Sequence, residues 1–434
     1  MGQRGKKAGR RRKQNTVVSL FSGAMGLDLG LESAGFSVRV GLEVNKVAIE
    51  TIKANRPRLP LIEKSIRETS AEEILEKAAL RKREITVLAG GPCCQSFSTA
   101  GRRRSLSDDK GSLFLEFCRV VRETRPRFFV MENVKGILSA AVKHRPLDER
   151  GPGFPPLSAD ECLGSALERI RAELAKLGYY VIFGLLNAAD YGVPQRRWRV
   201  FFIGSRDGET VHMPRPTHCA PAQRKAKSGM RRWVTLRKAL KGVRSRKWAE
   251  LSKDRLHLVS RLEAGQNWSD LPVRLHRKAL GGALDSWGGR TGFCRRLRWD
   301  EPPPTLTTAP DGRATMLCHP TADRPLSIEE YAVLQQFPKD WKFQGSITGQ
   351  YIQIGNAVPV GLGRSIGRML RRTMASTAQR GLTSTNYLRR GRVECADPEL
   401  KEWLKNRRKT QLHPPRLRKI KDVELAREWL RASA

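Results

Sequence analysis

Residue types able to do chemistry stand at four points of the sequence. LAGGPCCQSFS (88–98) sets Cys93 and Cys94 directly after an apolar run and a glycine pair. Thiols placed so could supply a nucleophile, a ligand or redox pair, or only packing. FFVMENV (128–134) carries Glu132 and Asn133 at its end, and a carboxylate there can act as a general acid or base, or cap a neighbour. In VPQRRWRV (193–200) Arg197 and Arg199 alternate on one face, a spacing that suits holding a carbonyl or phosphate oxygen. FSGAMGLDLG (21–30) has Gly23 and Gly26 opening a helix, with Glu43 twenty positions after Gly23. Glycines admit a ligand to the backbone, and an acid at the next strand end takes ribose hydroxyls. The pattern lacks a phosphate clamp, so a nucleoside suits it as well as a dinucleotide.

Short β-rich runs at 16–21, 37–43, 84–90, 127–134, 179–187 and 199–205 alternate with amphipathic stretches at 27–35, 70–82, 112–124 and 164–178. That rhythm predicts an α/β fold, a doubly wound, mostly parallel sheet with a smaller second domain. The four motifs then fall along the carboxyl edge, where ligands of such sheets bind. Near residue 206 the rhythm stops, and up to about 300 the chain is rich in Arg, Lys, Gly and Trp. Helical patterning resumes at 327–337 and 360–374. The expected division is a basic arm (1–15), an α/β domain (16–205), a smaller second domain (206–338), a further segment (339–375) and a basic C-terminal extension (376–434) with one helix near 421–432.

Lys and Arg number 82 against 43 Asp and Glu, a formal charge of +39, which points to a polyanionic partner, nucleic acid first. Eight cysteines without a Cys-x-x-Cys pair argue against a metal or disulfide framework and for small core residues. No apolar run of membrane-spanning length follows the basic N-terminus, so a protein that stays inside the cell, without a membrane partner, is expected.

With the motifs in this order, the chain resembles the DNA (cytosine-5)-methyltransferase family of bacterial restriction–modification systems. FSGAMG is similar to its first S-adenosylmethionine motif, PCCQ to its nucleophile loop, ENV to its glutamate motif and QRRWR to its Gln-x-Arg-x-Arg motif. LSIEEYAVLQQFP and QIGNAVP resemble its last two. The resemblance covers about 16–206 and 300–375, and implies that 16–205 is the catalytic and cofactor-binding domain, 206–338 the target-recognition domain and 339–375 the segment that returns to complete the catalytic one. It implies an S-adenosylmethionine-dependent methyltransferase fold and, by register, Cys94 as nucleophile, with Cys93 at a usual proline position. It further implies Glu132 at N3 of a flipped cytosine and Arg199, with Arg197 close by, at its O2. A thiolate adding at C6 makes C5 reactive enough to take a methyl group, and a cytosine stacked in duplex must first be extruded.

Matching positions implicate Phe21, Gly23, Ala24, Gly26, Glu43, Ile66, Leu113, Asn356 and Val358 in cofactor binding. Gln95, Ser98, Arg102, Arg103, Arg104 and Thr305 are implicated in contacts to double-stranded DNA. One departure stands out: Ser65 occupies the place of the family's adenine-binding acid, so Ser65 or Glu63 is expected to serve there. The basic, tryptophan-containing stretch 206–326 matches the family's target-recognition region, although Trp233 and Trp248 suit a small-domain core. A monomer acting in the bacterial cytoplasm at the nucleoid, without metal, is the expectation. Its rivals are a tRNA-methylating relative and a DNA-binding relative without turnover.

Overall fold

A computed structural model describes residues 14–92, 112–146, 149–150, 153–221, 229–284 and 292–412. The first unit runs β1 (Thr16–Leu20), α1 (Gly26–Glu32), β2 (Ser37–Leu42), α2 (Lys46–Asn55), β3 (Leu61–Ile62), α3 (Ala71–Ala78), β4 (Val87–Gly90), α4 (Ser112–Thr124), β5 (Phe128–Val134), α5 (Ser165–Ala175), β6 (Tyr180–Asn187) and β7 (Trp198–Ser205). Short elements follow: β8 (His218–Cys219), β9 (Arg231–Arg232), α6 (Leu236–Leu240), α7 (Lys253–Val259) and α8 (Val273–Leu280). The chain closes with α9 (Ile328–Leu334), α10 (Ile347–Asn356), α11 (Val360–Arg380), α12 (Ser384–Leu388), β10 (Val393–Cys395) and α13 (Pro398–Leu412).

The central sheet has eight strands in the order β10-β6-β7-β5-β4-β1-β2-β3. All neighbours pair in parallel except β7, which is antiparallel to both β5 and β6. Its strands are near-continuous runs of Val, Leu, Ile and Phe because both faces are covered. Val17, Phe128, Phe201 and Ile203 share one core with residues of α1 and α11. Val18, Leu88, Phe129 and Phe202 share the other with residues of α3, α4 and α5. Helix starts follow local chemistry: Asn45, Ser70 and Ser327 cap α2, α3 and α9 with their side chains, and Ser327 forms a capping box with Glu330.

Within the described residues, the strands and helices expected from the sequence form, within a few residues. The segment after 376 differs from a plain tail. Val393–Cys395 adds an edge strand in parallel to β6, and Leu400 buries against the α3–α5 core. The helix anticipated near 421–432, like residues 1–13 of the expected 1–15 arm, lies outside the described residues.

The second unit has its own small core of Leu258, Val259, Leu262, Leu271, Ala279, Cys294, Met316 and Cys318. It is pinned to α9 by Glu330, whose carboxylate takes Arg324 at 2.8 Å and the Ser245 hydroxyl at 2.7 Å. Of the described cysteines, Cys118, Cys219, Cys294 and Cys318 are buried free thiols, as expected of small core residues. Trp248 lies under Arg324 on the surface, and the half-buried Trp233 ring donates to Asp190 at 2.8 Å, so neither is a core residue of that unit.

Candidate active site at the carboxyl edge of the sheet

Because β7 runs antiparallel, its first residues lie where β5 ends. Glu132 pairs with Phe201 and Val134 with Arg199, which puts Glu132 and Arg199 diagonally on one face. Arg199 Nε lies 2.7 Å from Glu132 Oε1, both side chains 11% exposed. Neither atom has an aligned hydrogen-bond partner among the described residues. The two are held by charge, off the line of a hydrogen bond, and keep donor and acceptor capacity for a third group. Burial pushes the Glu132 carboxyl above the ordinary carboxylate range; Arg199 and then Arg197 pull part of the way back.

The root of the cysteine loop meets this pair. A Cβ at Gly91 would lie 2.8 Å from Glu132 Oε2, so a side chain there would make the carboxylate shift. Asn133 Nδ2 donates to the Pro92 carbonyl at 3.5 Å. Cys93, Cys94, Gln95, Ser98, Arg102, Arg103 and Arg104 lie outside the described residues.

Arg197 points elsewhere. It is 1% exposed, and its guanidinium donates to the carbonyls of Gly355 (2.7 Å) and Leu306 (3.3 Å) and to Gln195 Oε1 (3.5 Å). Gln195 in turn accepts from Leu306 N at 3.0 Å and donates to Gln335 Oε1 at 2.9 Å. Gln335 Nε2 donates to the carbonyls of Ile354 (2.6 Å) and Ala357 (3.1 Å). One buried network thus ties QRRWR to the Thr-Leu element and to the QIGNAVP segment. The sequence reading missed Gln195 and Gln335; polar side chains inside otherwise apolar, buried segments were the available signal. Thr305 donates to the Arg196 carbonyl at 3.1 Å, which seats it at the same junction.

On the other side of β4, the loop between β1 and α1 takes left-handed backbone at Phe21, Gly23 and Met25. A Cβ at Gly26 would collide with the Val358 carbonyl, so QIGNAVP closes directly onto the glycine loop. The Glu43 carboxylate accepts from Gly23 N (2.7 Å), Val44 N (2.9 Å) and Asn45 N (2.9 Å). These bonds fix its orientation and leave acceptor capacity for a hydroxyl. Next to it Val44 is 64% exposed, an apolar surface at the sheet edge that a flat base could cover. Ala24 and Ile66 are buried, Asn356 is exposed, and Phe21 and Leu113 pack against the core that contains Ile66. Arg119 holds that segment by donating to the Ile66 and Thr69 carbonyls.

The cradle fits an adenosyl cofactor: a fixed carboxylate, an open apolar surface and a glycine loop in one place. Each of the two candidates for the missing acid's place has another partner. Ser65 Oγ caps the next turn at Arg67 N (3.3 Å), and Glu63 pairs with Lys53 at 2.7 Å. Beneath the loop, Asp28 is 2% exposed, and burial raises its carboxyl to about 7. Among the described residues no cluster of metal-ligating side chains occurs and no helix is long and apolar enough to cross a membrane.

Residues 15–372 match the model of the C-5 cytosine-specific DNA methylase family. The chain is 36% identical over 363 residues to Type II methyltransferase M.Sau96I of Staphylococcus aureus, covering 83% of this chain and 76% of that protein. It is 33% identical over 365 residues to Type II methyltransferase M.Eco47II of Escherichia coli, covering 81% and 78%. In fold it is similar to a prophage-encoded E. coli protein described as a DNA modification methyltransferase, with TM-score 0.56, 24% identity, and 83% of this chain and 99% of that one covered. With the described parts of the expected motifs on one edge and most of its length matched, this chain belongs to the C-5 cytosine-specific DNA methylase family.

Proposed function

We propose that this DNA (cytosine-5)-methyltransferase acts on a cytosine extruded from double-stranded DNA, through a covalent bond from Cys94 to C6. The observation that carries the reading is the Glu132–Arg199 pair, with the root of the Cys94 loop against it. Addition of the Cys94 thiolate draws charge into the ring toward N3 and O2. Glu132, whose proton affinity burial raises, protonates or hydrogen-bonds N3. Arg199 steadies O2, and the buried pair excludes water from both. C5, now enamine-like, takes the methyl group; loss of the C5 proton and elimination of the thiol restore the aromatic ring and free Cys94.

S-adenosylmethionine supplies the methyl group as a sulfonium. Glu43 holds its ribose hydroxyls, Val44 and Phe21 offer apolar cover for its adenine, and Gly23, Ala24, Gly26, Ile66, Leu113, Asn356 and Val358 shape the remaining wall. Arg197 acts as a positioning residue that fixes Gly355 and Leu306. Thr305, the basic 102–104 run and the 206–326 region contact DNA, and a monomer in the bacterial cytoplasm protects host DNA from a cognate restriction enzyme.

The test is incubation of the full chain with labelled S-adenosylmethionine and either genomic DNA or tRNA, followed by mapping of 5-methylcytosine. Label in DNA that is absent from Cys94→Ser supports the reading. Label confined to RNA overturns it.

A further inference from the structure

A cleft of about 680 Å³ opens between α11 and the β8, β9 and α6 segment of the second unit. Glu132, Arg199 and the glycine loop contribute nothing to its walls. Arg231, Arg232, Lys238, Arg364 and Arg368 do, and among the described residues lining it there is no carboxylate.

The fold makes these cations converge. On α11, Gly363 and Gly367 take the close approach of α1, which turns Arg364 and Arg368, one turn apart, into the cleft. Arg364 Nε donates to Ser33 Oγ at 2.9 Å, at the far end of α1. The cleft therefore descends from the sheet edge by about one length of that helix, roughly 10 Å. Opposite stand Arg231 and Arg232, exposed on β9, and Lys238, exposed on α6. None of these three, nor Arg368, has an ion-pair partner among the described residues. The wall is set by the Trp233–Asp190 bond and by His218 packed on Gly192. Burial first, then Arg231 and Lys238, lower the proton affinity of His218.

We propose that this cleft is a second nucleic-acid contact, taking the sugar-phosphate backbone of duplex DNA outside the cytosine being methylated. Like charges gathered in a concave wall repel one another and focus a field that attracts a polyanion. Guanidinium forks suit phosphate oxygens. Exposed on long side chains, they confer affinity and register without reading bases. Only the choice of duplex DNA as the source of phosphate rests on the function proposed above; free polyphosphate carries the same chemistry.

The test uses the full chain, an Arg232→Gln/Arg368→Gln double variant and a separate Lys238→Gln variant. Fluorescence anisotropy follows binding to a mixed-sequence duplex several helical turns long. Each lost phosphate contact lowers the slope of log affinity against log salt by about 0.9. The double variant should therefore lose about 1.8 of that slope, a roughly tenfold weaker salt effect between about 50 and 200 mM, and Lys238→Gln about half as much in slope. Unchanged melting midpoint and S-adenosylmethionine binding exclude misfolding.

A second arm measures the melting shift caused by inorganic polyphosphate. Slopes equal to wild type overturn the proposal, also where only the polyphosphate shift is lost, because the cleft then serves a free polyanion. A fallen slope in a protein that methylates nothing would count against the proposed function and leave the cleft assignment standing.

Discussion

Asp28 offers a quantitative test of how the cofactor loop is built. It sits in the first turn of α1, directly under FSGAMG, 2% exposed, with Oδ1 unpartnered among the described residues. Ser22 Oγ donates to Ser19 Oγ at 2.9 Å, leaving the Ser19 proton for Asp28, and that bond offsets only part of the cost of burial. The folded carboxyl therefore titrates at about 7 against an ordinary 3.8. A raised value means that the folded state binds the proton more tightly than the unfolded chain. The resulting stability is complete below the ordinary value and is lost as pH rises through the folded one. The whole gap corresponds to about 4 kcal/mol, of which about 3 kcal/mol falls between about pH 5 and pH 8.

Asp28→Asn keeps the shape and removes the titration. Urea unfolding of both proteins across that range should show the variant gaining on wild type by about 3 kcal/mol from the acid to the alkaline end. Comparison of the two proteins cancels every other group. Parallel pH profiles would refute the assignment of a protonated buried acid beneath the loop.

Three further outcomes follow from the site. Glu132→Gln should lower the methylation rate by about 10²–10⁴-fold and abolish the alkaline fall of kcat/KM that tracks the raised Glu132 carboxyl; a pH–rate profile of both proteins checks this. Gly91→Ala puts a methyl 2.8 Å from Glu132 Oε2 and should cost about 100-fold in kcat by displacing the acid, with the melting midpoint nearly unchanged. Arg197→Met leaves the Gly355 and Leu306 carbonyls without their donor and should destabilise the protein by about 1–3 kcal/mol and weaken S-adenosylmethionine binding through the freed Gly355 segment, whereas Arg199→Met should keep binding and lose turnover. Equilibrium binding with labelled cofactor separates the two, and normal binding by Arg197→Met would count against its positioning role.

Much of this was readable from residue order because parallel strands buried on both faces are written as contiguous apolar runs, and each run here ends at a chemical residue. Leu20, Gly90 and Met131 sit side by side in the sheet, so the glycine loop, cysteine loop and Glu132 had to share an edge. The direction of β7 was not readable, since periodicity is the same for either pairing; the antiparallel register is what brings Arg199 to Glu132. Arg197 and Arg199 alternate in sequence yet diverge in role, because the carbonyls that take the Arg197 guanidinium come from residues more than a hundred positions away. A three-residue strand such as Val393–Cys395 carries too little pattern to be seen, and it forms only because β6 offers an unpaired edge. The cationic cleft was invisible for a similar reason: its two walls are separated by more than a hundred residues of chain.

The central claim is that one thiol of the adjacent pair, Cys94, attacks C6 while Glu132 and Arg199 hold the ring. Duplex DNA carrying 5-fluorocytosine tests it directly, because a C5 fluorine cannot leave as the proton does and the adduct persists. Peptide mass spectrometry after reaction with S-adenosylmethionine should place the methylated, fluorinated base on Cys94, with no adduct in Cys94→Ser. An adduct on Cys93, or none from a protein that methylates ordinary DNA, would contradict the account.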